Sequence, residues 1–417
     1  MRIALLFLVS PLFAQTLLLT NAHVIDPKNH VDAIADVAIT DGRISALGPH
    51  LPRVAKTIDL VGLYLTPGLV DIHTHLFTTT NVHNAWAGDQ SIMPDSFSFR
   101  TGVTTMVDAG SAGWRNFEDF RVTVIDRVKT RVFAFINIAG LGMMTNAAEQ
   151  QPSEFNPKEV ARLARKHHDV VVGVKTAHYE APDWTSVDRA VEAGTLADIP
   201  VMVDFGFFRA ERPYWQLVTQ KLRPGDISTH FFRATVPFVD ANGKLYDYLA
   251  QARARGVRFD VGHGGGSFVF RNAVPAIQQG FYPDSISSDL HGGSMNAGMQ
   301  DMPALISKML ACGLPLNDAI LESTWTPAQM IHHPELGHLS VGATADIAVW
   351  SIASGDFGFE DSSGGRLKGT RHLTSEMTLH NGEIMWDRNA RSAVDYKTLG
   401  PSYGNRPGVD IVVAPPK

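Results

Sequence analysis

The sequence has few of the features that mark disulfide-stabilised, nucleic-acid-binding or membrane-spanning proteins. Cys312 is the only cysteine in 417 residues, so no disulfide can form within the chain. Charged residues make up 19%, the formal net charge is −6, and the absence of a basic run argues against a nucleic-acid partner. The longest apolar stretch at the start, Ile3 to Phe13, is too short to span a membrane as a helix. What remains is the composition of a globular protein.

The first fifteen residues, MRIALLFLVSPLFAQ, have the pattern of a secretory signal peptide. Arg2 precedes the apolar stretch, and small Ala14 lies near its end. We therefore expect residues 1–15 to be a leader and the mature protein to be exported to the periplasm, with no membrane association after leader removal. A buried first strand is the alternative, because Leu12 stands where cleavage regions have a small residue.

Both ends of the remaining chain contain short β-rich runs separated by turn residues. The N-terminal runs are TLLLTNAHVID, DVAITDGRISALG and KTIDLVGLYLTPG, and the C-terminal ones are GHLSVGATADIAVWSI and EMTLHNGEIMWDR. We predict that residues 16–66 and 338–395 form one composite β-sandwich domain, followed by a tail at 396–417.

Residues 67–337 have a different pattern, in which apolar strand-like runs alternate with helical stretches. The runs are LVDIHTH, VTTMVDAG, RVFAFINIAG, VVVGVKT, PVMVDFG, DISTHFF, VRFDVGH and DSISSDLHG. Apolar strands alternating with helices indicate a parallel sheet covered on its outer face. Eight such units predict an α/β fold, a (β/α)8 TIM-type barrel with its active site at the C-terminal ends of the strands.

Two histidines end the first of these runs, in LVDIHTHL. Side chains at i and i+2 of a strand lie on one face, so His73 and His75 project together, with Asp71 on the same side. Two neutral imidazoles held in this way form half of a metal site. Hydrogen-bonded histidines without a metal are the alternative, since the chain contains 17 His.

Polar residues also follow most of the other predicted strands. Any one of them has an ordinary explanation as a loop or capping residue, but strand ends converge in a barrel. The set consists of His73, His75, Lys175, Asp204, His230, His263 and Asp289.

These residue types suit Zn²⁺ or a similar divalent ion, and no cysteine is near enough in the pattern to suggest a thiolate site. An ion with an open coordination position would lower the pKa of bound water and polarise a carbonyl. Asp289 is the candidate catalytic base that takes the proton of that water. The reaction class predicted from this set is hydrolysis of an amide, ester or related bond.

The chain resembles the amidohydrolase superfamily over nearly its whole length apart from the leader. The resemblance rests on the HTH of the first strand, Lys175 in VVGVKT, His230 in DISTHF, Asp289 in ISSDLH and the flanking GHLSVGATADIAVW. Within the superfamily it is most similar to the dihydroorotase-like amidohydrolase/deacetylase branch, with counterparts of GVTTMVDAGSAG and FDVGHGGGSF.

The resemblance implies a two-metal site. His73, His75 and Asp289 would hold one zinc ion, and a carbamylated Lys175 would bridge to a second, held with His230. Addition of CO₂ to a desolvated lysine amine makes this chemically reasonable. An ordinary lysine paired with a carboxylate is the alternative.

Two positions depart from the family pattern. Asp204 in PVMVDFG occupies the place of a histidine, so the second ion would bind differently or be missing. Many relatives have an arginine soon after the lysine that would suit a substrate carboxylate, whereas KTAHYE has His178, which we predict to contact substrate.

The glycine-rich segment GHGGGSF lacks the ending of a phosphate-binding P-loop, and we expect a flexible active-site loop there. We predict that His263 in this segment contacts substrate, with a structural role as the alternative.

The leading functional hypothesis is a metal-dependent deacylase of N-acyl-D-amino acids or O-acyl α-hydroxy acids. The alternatives are a cyclic-amide hydrolase of dihydroorotase or hydantoinase type and a non-catalytic binding protein with an impaired second metal site. The expected partner is a small-molecule substrate, and the sequence is compatible with a homo-oligomer.

Overall fold

The computed structural model describes residues 16–77, 90–144 and 146–406. The predicted leader, residues 1–15, lies outside the described residues, as does the end of the predicted tail at 407–417. Within the described ranges, no helix has the length and hydropathy of a membrane span.

The described residues form two sheets and a set of mostly short helices. The strands are β1 (Thr16–Asp26), β2 (Val31–Thr40), β3 (Arg43–Gly48), β4 (Lys56–Asp59), β5 (Tyr64–Pro67), β6 (Leu69–Thr74), β7 (Val103–Gly113), β8 (Arg131–Asn137), β9 (Val171–Thr176), β10 (Val201–Val203), β11 (Ile227–Ser228), β12 (Arg258–Phe259), β13 (Ile347–Glu360), β14 (Arg366–His380) and β15 (Glu383–Asp387). The α-helices are α1 (Pro94–Phe97), α2 (Phe117–Phe120), α3 (Asn146–Glu149), α4 (Pro157–Lys166), α5 (Thr185–Ala197), α6 (Tyr214–Gln216), α7 (Asp247–Ala254), α8 (Phe270–Gln278), α9 (Met302–Ala311), α10 (Leu316–Leu321) and α11 (Trp325–Met330).

The first sheet joins the two ends of the chain. Its strand order is β15-β14-β13-β5-β1-β2-β3, with β4 also paired to β1, and the antiparallel pairing of β5 with β13 links the N-terminal and C-terminal strands. Its apolar residues, among them Leu65 and Ile347, form a buried cluster separate from that of the barrel. Asn381 and Gly382, with φ of 51° and 78°, turn the chain between β14 and β15 as a two-residue hairpin loop requires.

The second sheet is the predicted barrel, with seven parallel strands in the order β6-β7-β8-β9-β10-β11-β12. The fold class is therefore confirmed. The expected eighth strand is not a regular one. Its segment joins the sheet through isolated parallel bridges at Ser285 and Leu290. Backbone bonds remain on the side of β12, where the N–H groups of Val261 and His263 donate to the carbonyls of Ser285 and Ser287. Side chains add to this pairing: Ser287 Oγ donates to Asp260 at 2.8 Å, and Ser288 Oγ donates to Asp71.

The residues of β6 divide between the apolar core and the site. Val70 and Ile72 pack in an apolar cluster with side chains of β7 to β11 and with Ala328 of α11. Asp71 accepts from Ser288 and lines a separate cavity with Met302, so the predicted common face of Asp71 and His73 is not observed. The pairing of β6 with β7 shifts register between Asp71 and Thr74, and His73 lies at the site, next to Lys175. His75 follows the strand on the same side.

The strands β13 and β14 are much longer than the others of their sheet and extend to the barrel mouth. At the end of this hairpin, Asp361 Oδ2 accepts the N–H of Phe270 at 3.1 Å and Ser362 Oγ accepts that of Phe268 at 3.2 Å. The backbone N–H of Ser362 donates to the carbonyl of Phe268 at 2.9 Å. The glycine-rich segment beside the site is thus held by the C-terminal part of the chain.

Candidate active site

Three of the predicted metal ligands meet at the end of the barrel. His73, His75 and Asp289 each offer one donor atom, and these atoms lie within 4.8 Å of one another. Asp289 Oδ1 is 3.0 Å from His75 Nε2 and 3.5 Å from His73 Nε2. Atoms this close can share one ion at the roughly 2.0–2.2 Å ligand distances of zinc.

The far nitrogen of each imidazole is fixed by a neighbouring strand. His73 Nδ1 is 2.8 Å from Thr229 Oγ1, which donates to Asp260 Oδ2 at 2.6 Å. His75 Nδ1 is 3.1 Å from Ser111 Oγ. Such contacts set the ring orientation and direct both Nε2 atoms to the mouth, as outer partners do for metal-binding histidines. Neither Thr229 nor Asp260 was among the residues predicted from the sequence.

Electrostatics favour a neutral His73 next to an ionised Asp289. Burial, assisted by Lys175, lowers the pKa of His73 to about 3. Burial opposes ionisation of Asp289, but His73, His75 and His230 outweigh it and hold the pKa of that carboxyl below its usual value. A neutral imidazole and a carboxylate are the forms that bind a metal ion.

Lys175 lies beneath this group and is fully buried. Its Nζ is 3.0 Å from His73 Nε2, and burial lowers its pKa against the opposing attraction of Asp204 and Asp289. Gly110 of β7 has φ of 84°, and a Cβ there would collide with the Lys175 side chain. The sequence therefore keeps space for the amine where the barrel is narrow.

Asp204, which differs from the histidine of the family pattern, also lies in the site, beside His230. Its Oδ2 is 3.3 Å from His230 Nε2 and 3.5 Å from His178 Nε2, and its Oδ1 accepts from Arg233 at 3.4 Å. Burial opposes ionisation, yet these three neighbours hold the pKa of Asp204 well below its usual value. Asp204 is therefore a carboxylate that already has two partners of opposite charge, His178 and Arg233.

His178 lines the site as predicted from its position, and a carboxylate that the sequence did not reveal supports it. Glu149 at the end of α3 is buried, accepts from Asn137 at 3.0 Å and lies 2.9 Å from His178 Nδ1. Burial disfavours the protonated ring, but Glu149 and Asp204 outweigh it and raise the pKa of His178 to about 9. Arg233 and His291 are further residues of the site that sequence reasoning missed.

His263 lies behind the site. It is fully buried, its ring stacks on Phe268, and its Nε2 is 2.6 Å from Lys308 Nζ of α9. Its Nδ1 is 2.8 Å from the carbonyl of Gly264. Both ring nitrogens are engaged with protein atoms and the side chain has no exposed surface, so this arrangement supports the structural alternative for His263 over substrate contact.

These residues surround a cavity of about 330 Å³. Its lining includes His75, Asp204, His230 and Asp289 on one side and the glycine-rich segment at Gly265 and Gly266 on another. Two imidazoles and a carboxylate within one coordination sphere fit a divalent ion, and the buried amine of Lys175 lies beneath them.

A parallel barrel with this donor set at the C-terminal ends of its strands is the arrangement of a hydrolase that uses a metal ion to activate water. Residues 64–206 match the amidohydrolase family. A deacetylase of Brucella anthropi is 34% identical over 366 residues, covering 84% of this chain and 88% of the relative. A deacetylase of Agrobacterium fabrum is 33% identical over 369 residues with the same coverage of both chains. The chain belongs to the amidohydrolase family.

Solved structures show the same architecture. A dihydroorotase superposes with a TM-score of 0.79 at 29% identity, covering 89% of this chain and 99% of the other. An adenine deaminase superposes with a TM-score of 0.80 at 27% identity and the same coverage. The barrel and its composite β domain are thus shared with enzymes of more than one substrate class.

Proposed function

We propose that the protein is a metal-dependent deacylase that hydrolyses an N-acyl-D-amino acid or an O-acyl α-hydroxy acid. The observation that carries the proposal is the meeting of His73, His75 and Asp289 within one coordination sphere at a cavity of about 330 Å³. The deacetylases of Brucella anthropi and Agrobacterium fabrum support the acyl-transfer chemistry.

Zinc is the proposed metal, and His73, His75 and Asp289 would hold it. A divalent ion at this position lowers the pKa of water and polarises a carbonyl. Asp289 is ionised and faces the cavity with Oδ2, which is 4.0 Å from His230 Nε2. Asp289 would be the group that accepts the proton of the attacking water.

A carbamate on Lys175 would complete a second metal position with His230 and Asp204. Burial favours the neutral amine of Lys175, which is the form that adds CO₂, forming an N–C bond and releasing one proton. Asp204 gives this position a carboxylate where relatives have a histidine. We propose that the second position is weakened rather than lost.

Hydrolysis of a cyclic amide is the second candidate, favoured by the dihydroorotase structure and by a dihydroorotase of Elusimicrobium minutum that is 48% identical over 60 residues, 14% of this chain. Zinc per chain, measured by mass spectrometry, and turnover of a panel of N-acetyl-D-amino acids, O-acetyl α-hydroxy acids, dihydroorotate and hydantoins separate the candidates. Turnover confined to cyclic amides would replace the deacylase proposal, and turnover of none with zinc bound would favour a binding protein.

We also propose that the protein is exported. The apolar segment after Arg2 supports this, and it falls outside the described residues. N-terminal sequencing of the periplasmic protein should give a start near residue 16, and recovery of the chain with residues 1–15 in the cytoplasm would contradict it.

A further inference from the structure

Arg233 is the one arginine or lysine among the described residues that line the cavity. It lies three residues after His230, and its side chain is 24% exposed. Both backbone polar groups of Arg233 are hydrogen-bonded: the N–H donates to the His230 carbonyl at 3.0 Å, and the carbonyl accepts from Asn272 Nδ2 at 2.7 Å. The guanidinium is therefore presented to the cavity from an anchored turn.

Most donors of this guanidinium are free for a ligand. Within the described ranges its hydrogen bonds are both made by NH1, to Asp204 Oδ1 at 3.4 Å and to the carbonyl of Gly206 at 3.3 Å, and both are long. Nε and NH2 have no acceptor there. These two groups form the edge of the guanidinium that binds a carboxylate through two parallel hydrogen bonds.

The glycine-rich segment offers further donors in the same cavity. Gly265 and Gly266 are exposed, and in the part of the chain that the structure describes their backbone N–H groups have no acceptor. Gly264, with φ of 52°, turns the chain just before them. A Cβ on Gly266 would meet no heavy atom within 4 Å, so there is open space beside these N–H groups. Successive free backbone amides favour anions.

We propose that Arg233 and the N–H groups of Gly265 and Gly266 bind the carboxylate of the substrate, an inference that rests on the proposed deacylase function. Asp204 links the two parts of the site, because it contacts Arg233 on one side and His230 on the other. In an α-acylated acid only the α-carbon and the heteroatom separate carboxyl and acyl carbons. A substrate of this shape can offer a carboxylate to the guanidinium and an acyl group to the cavity that Asp289 also lines, whereas a neutral amide leaves Arg233 without its anionic partner.

Binding of an inert probe tests this without requiring turnover. The probe is N-methylsulfonyl-alanine, as D and L forms, whose sulfonamide resists hydrolysis, and its comparison ligand is the neutral carboxamide. Calorimetry on the zinc-loaded protein should show the better enantiomer of the acid binding at least about tenfold more tightly than its carboxamide. Arg233→Gln should reduce this preference to near unity, and Arg233→Lys should leave part of it.

Matched controls separate anion binding from effects on folding or on metal. Arg271→Gln removes an exposed arginine of α8 that donates to the Ala234 carbonyl, and it should retain the wild-type preference. Gly266→Ala should weaken binding of the acid because its methyl group fills the space beside the backbone amides. Gly48→Ala, at a position equally free of nearby atoms, should leave binding unchanged. Zinc per chain is measured for every variant, and the comparison uses preparations brought to equal zinc content.

The outcomes divide clearly. A wild-type protein that binds acid and carboxamide equally, or neither, overturns the inference, as does an undiminished preference in Arg233→Gln at equal zinc. A preference that Arg233→Gln removes supports it even if no acylated substrate turns over, a result that would defeat the deacylase proposal instead.

Discussion

The two sides of the cavity contain similar residues, histidines and an aspartate, but differ in what surrounds the carboxylate. On the histidine side, Thr229 and Ser111 hold the far nitrogens of His73 and His75, and the near nitrogens of both rings meet Asp289. On the aspartate side, the carboxylate of Asp204 is surrounded by His178, His230 and Arg233. One side is arranged for a cation to enter, whereas the other already supplies positive charge. The comparison shows how a donor set suited to a cation and a carboxylate already paired with positive charge lie side by side in one barrel mouth.

The largest effect is expected from His73→Ala, which removes a ligand from the histidine side. Hydrolysis should fall well beyond the ~10–100-fold that loss of an outer partner causes, with zinc lost from the protein. Thermal unfolding should change little by comparison with activity. His168→Ala, at an exposed position outside the cavity, is the control. Retention of zinc and turnover in His73→Ala would show that the histidine side is not the metal site.

Asp260→Asn should have the next largest effect, because it weakens the acceptor that holds Thr229 and His73 in place. Loss of an outer partner of this kind costs about 10- to 100-fold in metal affinity or activity. Competition with a zinc indicator measures the affinity. An unchanged affinity would mean that His73 is oriented by packing alone.

Asp204→His changes the aspartate side to the residue of the family pattern. It should raise bound zinc from about one toward about two ions per chain, because a neutral imidazole replaces a carboxylate held by Arg233 and His178. Metal analysis and turnover are measured together. If neither bound zinc nor turnover increases, Asp204 does not limit the second position.

The smallest effect on catalysis is expected behind the site, at Lys308. Burial lowers the pKa of its amine from 10.5 to about 8, against the opposing attraction of Cys312, Asp361 and Glu360, a shift of the order of 3 kcal/mol. Between those pH values the unfolded chain holds a proton that the folded chain has released. The free energy of unfolding should therefore rise with pH across this window relative to Lys308→Met. Parallel pH profiles of wild type and variant would contradict the assignment.

The strand ends could be read from the sequence because alternation is a local property. Apolar runs placed His73, His75 and Lys175 at the correct ends of their strands, and Asp204 was recognised as a departure. The eighth strand was expected to be regular, but its segment pairs only through isolated bridges, with serine hydroxyls bonded to buried aspartates beside them. Nothing local in the sequence indicates this irregularity.

Residues brought in by packing could not be predicted in the same way. Glu149 reaches His178 because α3 packs beside β8, and Arg233 faces the cavity because Asn272 of α8 holds its carbonyl. His263 follows a strand like the other histidines, yet its ring nitrogen is bound by Lys308 of α9 instead of facing the cavity. Each outcome depends on a partner distant along the chain.

The long hairpin of β13 and β14 couples the C-terminal part of the chain to the glycine-rich segment that lines the cavity. Phe268 and Phe270, next to the glycine-rich segment, have their N–H groups bonded to Ser362 and Asp361. Their amide hydrogens can exchange with solvent only when the hairpin end moves away. Deuterium uptake at these two positions should accordingly follow the local opening of the β13–β14 strand pair. Substitutions that loosen these C-terminal strands should therefore raise deuterium uptake in the wall of the cavity.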